Sequence, residues 1–314
     1  MLAGLATRLS AMQYPRPAAA SLVRKVLKHA RREGDDDGIW VLVTSAVSGE
    51  WVRNLMKSAW IELSPVEAHD VLALMHGIVK TARHPDTPPD ARNHLMLIVD
   101  DVNAEKGLCS QIARQLPLWR PYVRRRAIDL LAALVPISIT AMRALAHFLS
   151  DDPAAPAAWT RPKDASSIST DDDTTEFCEL EGRPDEEREA TRTAILALLH
   201  AAARSSLSQS SDITAIRALI LSPPQFTTAL SLFSDNDVQL CTALADLVHI
   251  HRRAPLPAQL SPHALFAKNF GSDHGLLVDL VLADASAIDY LLAYLRFAQE
   301  ERNDATTGSQ DPAG

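Results

Sequence analysis

Repeated helix-start signals limit what this chain can fold into more than any other feature of its sequence. At Ser64-Pro65-Val66-Glu67 a Ser stands at the cap position, a Pro occupies the first helical position, and a Glu follows three residues after the cap. We therefore predict a helix that begins at Pro65 and runs to about Arg83. Similar signals stand at Pro121, Ser222-Pro223-Pro224, Ser234-Asp235-Asn236-Asp237, Ser261-Pro262 and Ser286-Ala287-Ile288-Asp289.

Apolar residues between these signals recur at helical spacing. After Pro65 they form one predicted buried face, and the chain as a whole is 47% apolar but only 5% aromatic. Its apolar mass is Ala and Leu, which favours helices over sheets. Only residues 39–44 can be interpreted equally well as a strand or as a buried helix. The face after Pro65 consists of Val71, Leu74, Met75, Ile78 and Val79.

The predicted fold class is all-α, with about a dozen short helices joined by brief turns. Many short amphipathic helices with few aromatic residues are typical of stacked helix pairs, so we expect an armadillo- or HEAT-like α-solenoid. No repeat of fixed period stands out. An irregular helical bundle therefore stays open as the alternative.

Charge divides the chain into segments. Residues 1–32 carry seven basic and no acidic side chains, whereas residues 151–190 carry 13 acidic and four basic ones and are rich in Pro, Ser and Thr. A segment of the second kind has little apolar surface to bury. We expect a basic disordered leader at 1–17, an N-terminal helical domain at 18–150, an acidic disordered linker at 151–190, a C-terminal helical domain at 191–302 and a disordered tail at 303–314.

The basic N-terminal segment has two interpretations. Its mixture of Arg, Lys, Ala, Leu and Ser without an acid before Glu33 is the composition of a mitochondrial transit peptide. The alternative is a basic tail followed by a first helix over residues 18–32. We expect a protein of the cytoplasm or nucleus, with mitochondria as the alternative. No apolar run approaches the roughly 20 residues that a membrane span needs, so we expect no membrane association.

No motif in the chain carries a recognisable chemistry. The glycine patterns of nucleotide-binding loops and of hydrolase nucleophile elbows do not occur, and the three cysteines lack the CxxC spacing of zinc sites. We therefore predict a non-enzymatic protein without cofactor or metal. We interpret the histidines weighed as metal ligands as ordinary surface or capping groups, and the acids of 235–237 as a helix start. A general-acid pair at Asp100 and Asp101 is conceivable, but no partner for it can be named. The histidines are His69, His76, His249 and His251, and the helix-start residues are Asp235, Asn236 and Asp237.

Two features indicate contacts or regulation. Arg124, Arg125 and Arg126 form the densest basic patch, which we interpret as a partner contact or a solvated helix face, because nucleic-acid binders carry a longer positive stripe. Ser169 and Thr170 each have an Asp three residues later, which is a hypothetical site of acid-directed phosphorylation. Phosphopeptide mapping should find phosphate on these two residues, and finding both unmodified would contradict the hypothesis.

The C-terminal segment contains the most distinctive pattern. Residues 276–283 are apolar except for Asp279, which we place either on an exposed edge or in a buried pair. Two apolar stripes at helical spacing follow. We interpret the first as core and the second as core or as a groove for a partner helix. The first stripe is Ile288, Leu291, Leu292 and Leu295, and the second is Tyr290, Tyr294 and Phe297.

These residues resemble the C-terminal region of the Lines family. The resemblance covers residues 226–297 and lies in Asp273-His274, in the Leu-rich helix with Asp279, in residues 290–296, and in the Leu-Phe segment with acids at 231–237. It implies a non-enzymatic, all-helical regulator of signalling or transcription, of the Wingless/Wnt kind, that acts through protein partners. Our first expectation is accordingly a helical-repeat scaffold that binds proteins. The alternative is an organelle-targeted, RNA-binding or assembly-factor helical repeat.

Overall fold

The computed structural model describes residues 17–32, 40–41, 43–44, 47, 63–151, 184–204, 229–271 and 274–307. Within these ranges all regular secondary structure is helical and no strand occurs, which confirms the predicted all-α class. The chain divides into two compact units, 1–152 with 163–194, and 153–162 with 195–314. None of the described helices has the length and apolar character needed to cross a membrane.

The first unit is built around one central helix. Its helices are α1 Pro17–Arg32, α2 Pro65–Ala82, α3 Pro89–Lys106, α4 Leu108–Gln115, α5 Pro121–Leu134, α6 Ile139–Asp151 and the first half of α7 Pro184–Arg204, with a 3-10 turn at Leu116–Leu118. Helix α2 packs against α1, α3 and α5, and it is buried over most of its length. Helix α6 packs on α4 and α5, so it extends the unit away from α2.

The predicted start of α2 is confirmed in full. The Ser64 side chain accepts a hydrogen bond from the Glu67 backbone N–H at 3.3 Å, and the Ser64 N–H donates to a Glu67 carboxylate oxygen at 2.9 Å. Two backbone donors that the helix leaves unpaired are thereby satisfied. These hydrogen bonds also lower the pKa of Glu67. Helix α5 begins at Pro121 and α9 begins behind the Ser261 cap, as their signals predict.

The basic N-terminal segment folds as part of the first unit from Pro17 onward. In α1 the residues Ala20, Val23, Leu27 and Ala30 are buried, and the helix packs against α2. Lys25, Lys28 and Arg32 lie on the exposed side of α1. Its positive charges therefore occupy the solvent face of an amphipathic helix.

The second unit is organised around two long helices. It contains residues 195–204 of α7, then α8 Asp237–Arg253, α9 Pro262–Asn269, α10 His274–Ala283 and α11 Ala285–Thr307, with a 3-10 turn at Ala258–Leu260. Helix α8 packs along α11, while α9 contacts α8 and α10 contacts α11. Asn236 caps α8 by accepting a hydrogen bond from the Gln239 N–H at 3.0 Å, so the acids around it form a helix start as predicted.

Several boundaries differ from the predicted ones. Helix α7 already begins at Pro184, inside the predicted linker, because the acids of its first turn pair with arginines of α5. Helix α11 continues to Thr307, into the predicted tail, and Glu300 and Glu301 pair with Arg252 and His263 near its end.

Other differences concern single positions. The side chain that accepts from the Ser286 N–H belongs to Asp284, so the cap of α11 lies before Ser286. Residues 40–41 and 43–44, in the segment interpreted as strand or helix, are helical. The predicted start at 222–224 lies outside the described residues, as do Ser169 and Thr170.

Packing of α1 into the first unit generates a stability prediction. Leu27 is 1% exposed, and its replacement by Ala should lower the free energy of unfolding by about 2–4 kcal/mol through lost burial and a residual cavity. Leu22 lies on the open side of the same helix, so Leu22→Ala is the matched control, with an expected change within about 0.5 kcal/mol. Urea denaturation measures both. Equal losses for the two variants would show that α1 does not belong to the core.

Candidate functional site

The three arginines of α5 are engaged inside the first unit. Arg124 donates to the Leu116 carbonyl at 3.0 Å and to the Trp119 carbonyl at 3.2 Å, and it pairs with Glu187 at 3.4 Å. Arg125 binds a carboxylate oxygen of Glu186 at 2.7 Å. These contacts hold the first turn of α7 against α5.

The third arginine, Arg126, forms its contacts with residues of α2 and α5. Arg126 donates from Nε to Nε2 of His69 at 3.2 Å and from Nη1 to Asp129 at 3.2 Å. For its neighbour Arg125, burial by itself would lower the guanidinium pKa, but the hydrogen bond and charge of Glu186 outweigh it and raise that pKa. The three arginines therefore stabilise contacts within the first unit, which gives a structural reason for the cluster of basic residues.

The histidines and acids weighed for chemistry can be located individually, except for Asp101, whose side chain lies outside the described residues. His69 accepts from Arg126 and lies with its ring centroid 5.9 Å from that of Tyr122. Burial lowers the pKa of His76, which therefore stays neutral at neutral pH. Asp100 is exposed. Among the described residues no group of three or more His, Cys, Asp or Glu side chains has the arrangement of a metal site.

The aromatic stripe of α11 forms the core of the second unit. Tyr290 is 1% exposed, and its ring lies 5.6 Å from that of Phe270. Tyr294 stacks on Phe266 at 4.4 Å with nearly parallel rings, and Phe297 is buried against His251. Of the two interpretations left open, the structure supports core packing. These side chains face their own unit, not a groove open to a partner.

The other stripe of α11 lies on the outside, and the prediction that it is core is wrong. Ile288, Leu292 and Leu295 are exposed, Leu295 to 59%, and Leu291 is half-buried. Both stripes have helical spacing, and the one with the larger aromatic side chains packs against α8 and α9. Periodicity alone identifies two apolar faces without telling which has a neighbour.

Helix α10 also exposes much of its apolar surface. Val278 is 56% exposed and Leu282 is 80% exposed, whereas Leu280 is buried. Asp279 is exposed, which decides the open question about its position in favour of the edge. We use the name outer apolar face for the exposed large apolar side chains of these two helices, which lie on more than one side of α10 and on one side of α11: Leu276, Val278 and Leu282 of α10, and Ile288, Leu292 and Leu295 of α11.

A polar cluster borders the aromatic core near the end of α11. His263 donates from Nε2 to a Glu301 carboxylate oxygen at 2.7 Å, and its Nδ1 lies 2.9 Å from the Tyr294 hydroxyl. This is the geometry of a histidine held between an acid and a hydroxyl. Burial and the charge of Glu301 raise the pKa of Tyr294, so the phenol stays protonated at neutral pH and the cluster serves as a clamp.

A cavity of about 610 Å³ opens beside this cluster. Within it Arg252 binds Glu300 through both guanidinium and carboxylate atoms, with one bond at 2.9 Å. His251 accepts the Leu256 N–H at 3.0 Å, and burial lowers its pKa. The charged side chains that line the cavity largely compensate one another. The lining therefore does not indicate a particular ligand. The lining residues are His249, His251, Arg252, Arg253, Phe297, Glu300 and Glu301.

The two cysteines within the described residues are buried thiols. Burial raises the pKa of Cys241 to about 11, with the nearby carboxylates of Asp237 and Asp284 adding to it. Burial likewise raises the pKa of Cys109. Since the thiolate is the reactive form, neither thiol has the character of a nucleophile.

Within the described residues the chain is an all-α protein whose C-terminal helices expose several large apolar side chains. No family model matches the chain, and comparison with curated proteins and with solved structures found no match.

The buried hydroxyl of Tyr290 generates a stability prediction. Among the described residues it has no hydrogen-bond partner. Because an unpaired buried hydroxyl carries a desolvation cost, Tyr290→Phe should raise the free energy of unfolding by about 1 kcal/mol. Tyr294→Phe is the matched control and should lower it by about 0.5–1 kcal/mol, since the Tyr294 hydroxyl contacts His263. Thermal and urea denaturation would contradict this if Tyr290→Phe were the more damaging change.

Proposed function

We propose that this chain is a non-enzymatic helical scaffold that binds protein partners through its outer apolar face. The observation that carries the proposal is the exposure of six large apolar side chains on two consecutive helices. Ile288, Leu292 and Leu295 share one side of α11, and large apolar side chains exposed side by side are typical of protein interaction sites. Arg124 and Arg125 of α5 are already paired with Glu187 and Glu186, and His263 with Glu301, so the proposal gives these groups a structural role.

An amphipathic helix is the partner chemistry that this surface fits. Ile288, Leu292 and Leu295 follow the spacing at which a helix presents one side, and a partner helix would bury them against its own apolar stripe. Fully burying a Leu or Ile side chain contributes roughly 1.5–3 kcal/mol. The exposed charges of Asp279, Asp289 and Arg296 border the face and would select the partner's orientation.

The wider biology follows from the resemblance of residues 226–297 to the Lines family. We propose, on that basis, a regulator of signalling or transcription that works through protein contacts in cytoplasm or nucleus. Pairwise packing of neighbouring helices, such as α2 with α3 and α5 with α6, supports an armadillo-like α-solenoid as the scaffold.

The alternative is an organelle-targeted, RNA-binding or assembly-factor helical repeat. RNA binding has less support than the other versions of this alternative, because Arg124, Arg125 and Arg126 form contacts within the first unit. A mitochondrial presequence would have to end before Pro17 for α1 to stay in the core after cleavage. The assembly-factor form uses the same outer apolar face.

Site-specific photo-crosslinking in native cells tests the proposed function. A benzophenone amino acid at position 282 or 295, both on the outer apolar face, should form discrete protein adducts, whereas the exposed Gln259 position should not. Adding Leu292→Asp to the position 295 probe should abolish the adducts while circular dichroism stays unchanged, since a charge on this face prevents burial. Adducts of equal intensity at all three positions, or none, would contradict the proposal.

A further inference from the structure

We propose that the outer side of α11 binds the same side of a second copy of this chain, in an antiparallel pair related by a two-fold axis near Leu292. The inference rests on the proposed function and names its partner. The α11 stripe is defined as Ile288, Leu292 and Leu295, the half of the outer apolar face that a single straight helix presents.

Two exposed charges of opposite sign flank this stripe. Asp289 and Arg296 are seven residues apart, which is almost two full turns, so they lie on the same side of the helix. Both are exposed, and neither makes a hydrogen bond or ion pair within the described part of the chain. By contrast Glu300, further along the helix, is already bound to Arg252.

The spacing of these charges determines how two copies can pair. A two-fold axis halfway between Asp289 and Arg296 brings Asp289 of each copy beside Arg296 of the other, which forms two ion pairs along one edge of the interface. A two-fold operation of this kind makes the interface self-complementary. A parallel pairing about a two-fold axis along the helices would place the charged edges of the two copies on opposite sides of the interface, where these ion pairs cannot form.

The same operation also pairs the apolar residues. Leu292 lies next to the axis and meets Leu292 of the second copy, while Ile288 comes level with Leu295 of that copy to within about one turn. The side chains that are exposed in the single chain are thereby buried against each other. Burial of the apolar side chains stabilises the dimer, and the ion pairs determine that the two helices run antiparallel.

The expected dimer is weak. Residues 285–300 offer about 24 Å of helix, and one helix side per copy gives an interface at the small end of the specific range. We therefore expect a dissociation constant on the order of 10 μM, with monomer and dimer both populated in the micromolar range.

Sedimentation equilibrium of the full-length chain over about 1–300 μM tests the proposal, a range chosen to bracket that constant. Wild type should dimerise. Asp289→Arg and Arg296→Asp should each weaken the dimer by about tenfold or more, because each sets like charges together twice. The double variant Asp289→Arg with Arg296→Asp should return to within about threefold of wild type. Lys268→Glu, an exposed charge change on α9, is the matched control and should have no effect.

The outcomes separate this inference from the proposed function. A chain that stays monomeric throughout overturns the dimer, and adducts from position 295 to another protein would then leave the proposed function standing. A dimer that is indifferent to both single reversals, or a double variant weaker than either single one, overturns the antiparallel pairing. Restoration by the double variant also shows that the single variants fold, since a misfolded helix is not repaired by a second charge change.

Discussion

Helix α11 has two apolar sides and packs only one of them within its own unit, and the arrangement of the second unit depends on that choice. The aromatic side, with Tyr290 and Phe297, is buried against α8 and the segment around α9. Aromatic rings bury more area than leucines and gain further from ring contacts, such as the stacking of Tyr294 on Phe266. The leucine side is consequently left for solvent or for another chain.

The first unit depends on a different constraint. Helix α2 is apolar on nearly every side, so it needs neighbours all around, and α1, α3 and α5 provide them. Charge then extends the unit, because Arg124 and Arg125 of α5 bind Glu187 and Glu186 in the first turn of α7. Basic residues that resemble a binding patch in the sequence form ion pairs between helices in the structure.

Several side chains of reactive types are bound to a neighbour or buried within the described residues. In the second unit His263 forms a hydrogen bond with Glu301, and burial keeps Cys241 as a thiol. On α11, exposed apolar side chains lie beside the exposed charges of Asp289 and Arg296. This is the surface that the proposed association would bury.

The sequence by itself determined the local features. Capping residues and prolines act over one helical turn, so the start of α2 behind Ser64, of α5 at Pro121 and of α9 behind Ser261 could be predicted from them. Composition determined the all-α class in the same way. Only the tertiary structure decided which side of α11 is buried and whether Arg125 is exposed to solvent or paired with an acid. Those outcomes depend on neighbours distant in sequence, and a helical period carries no information about which of two apolar sides will meet one.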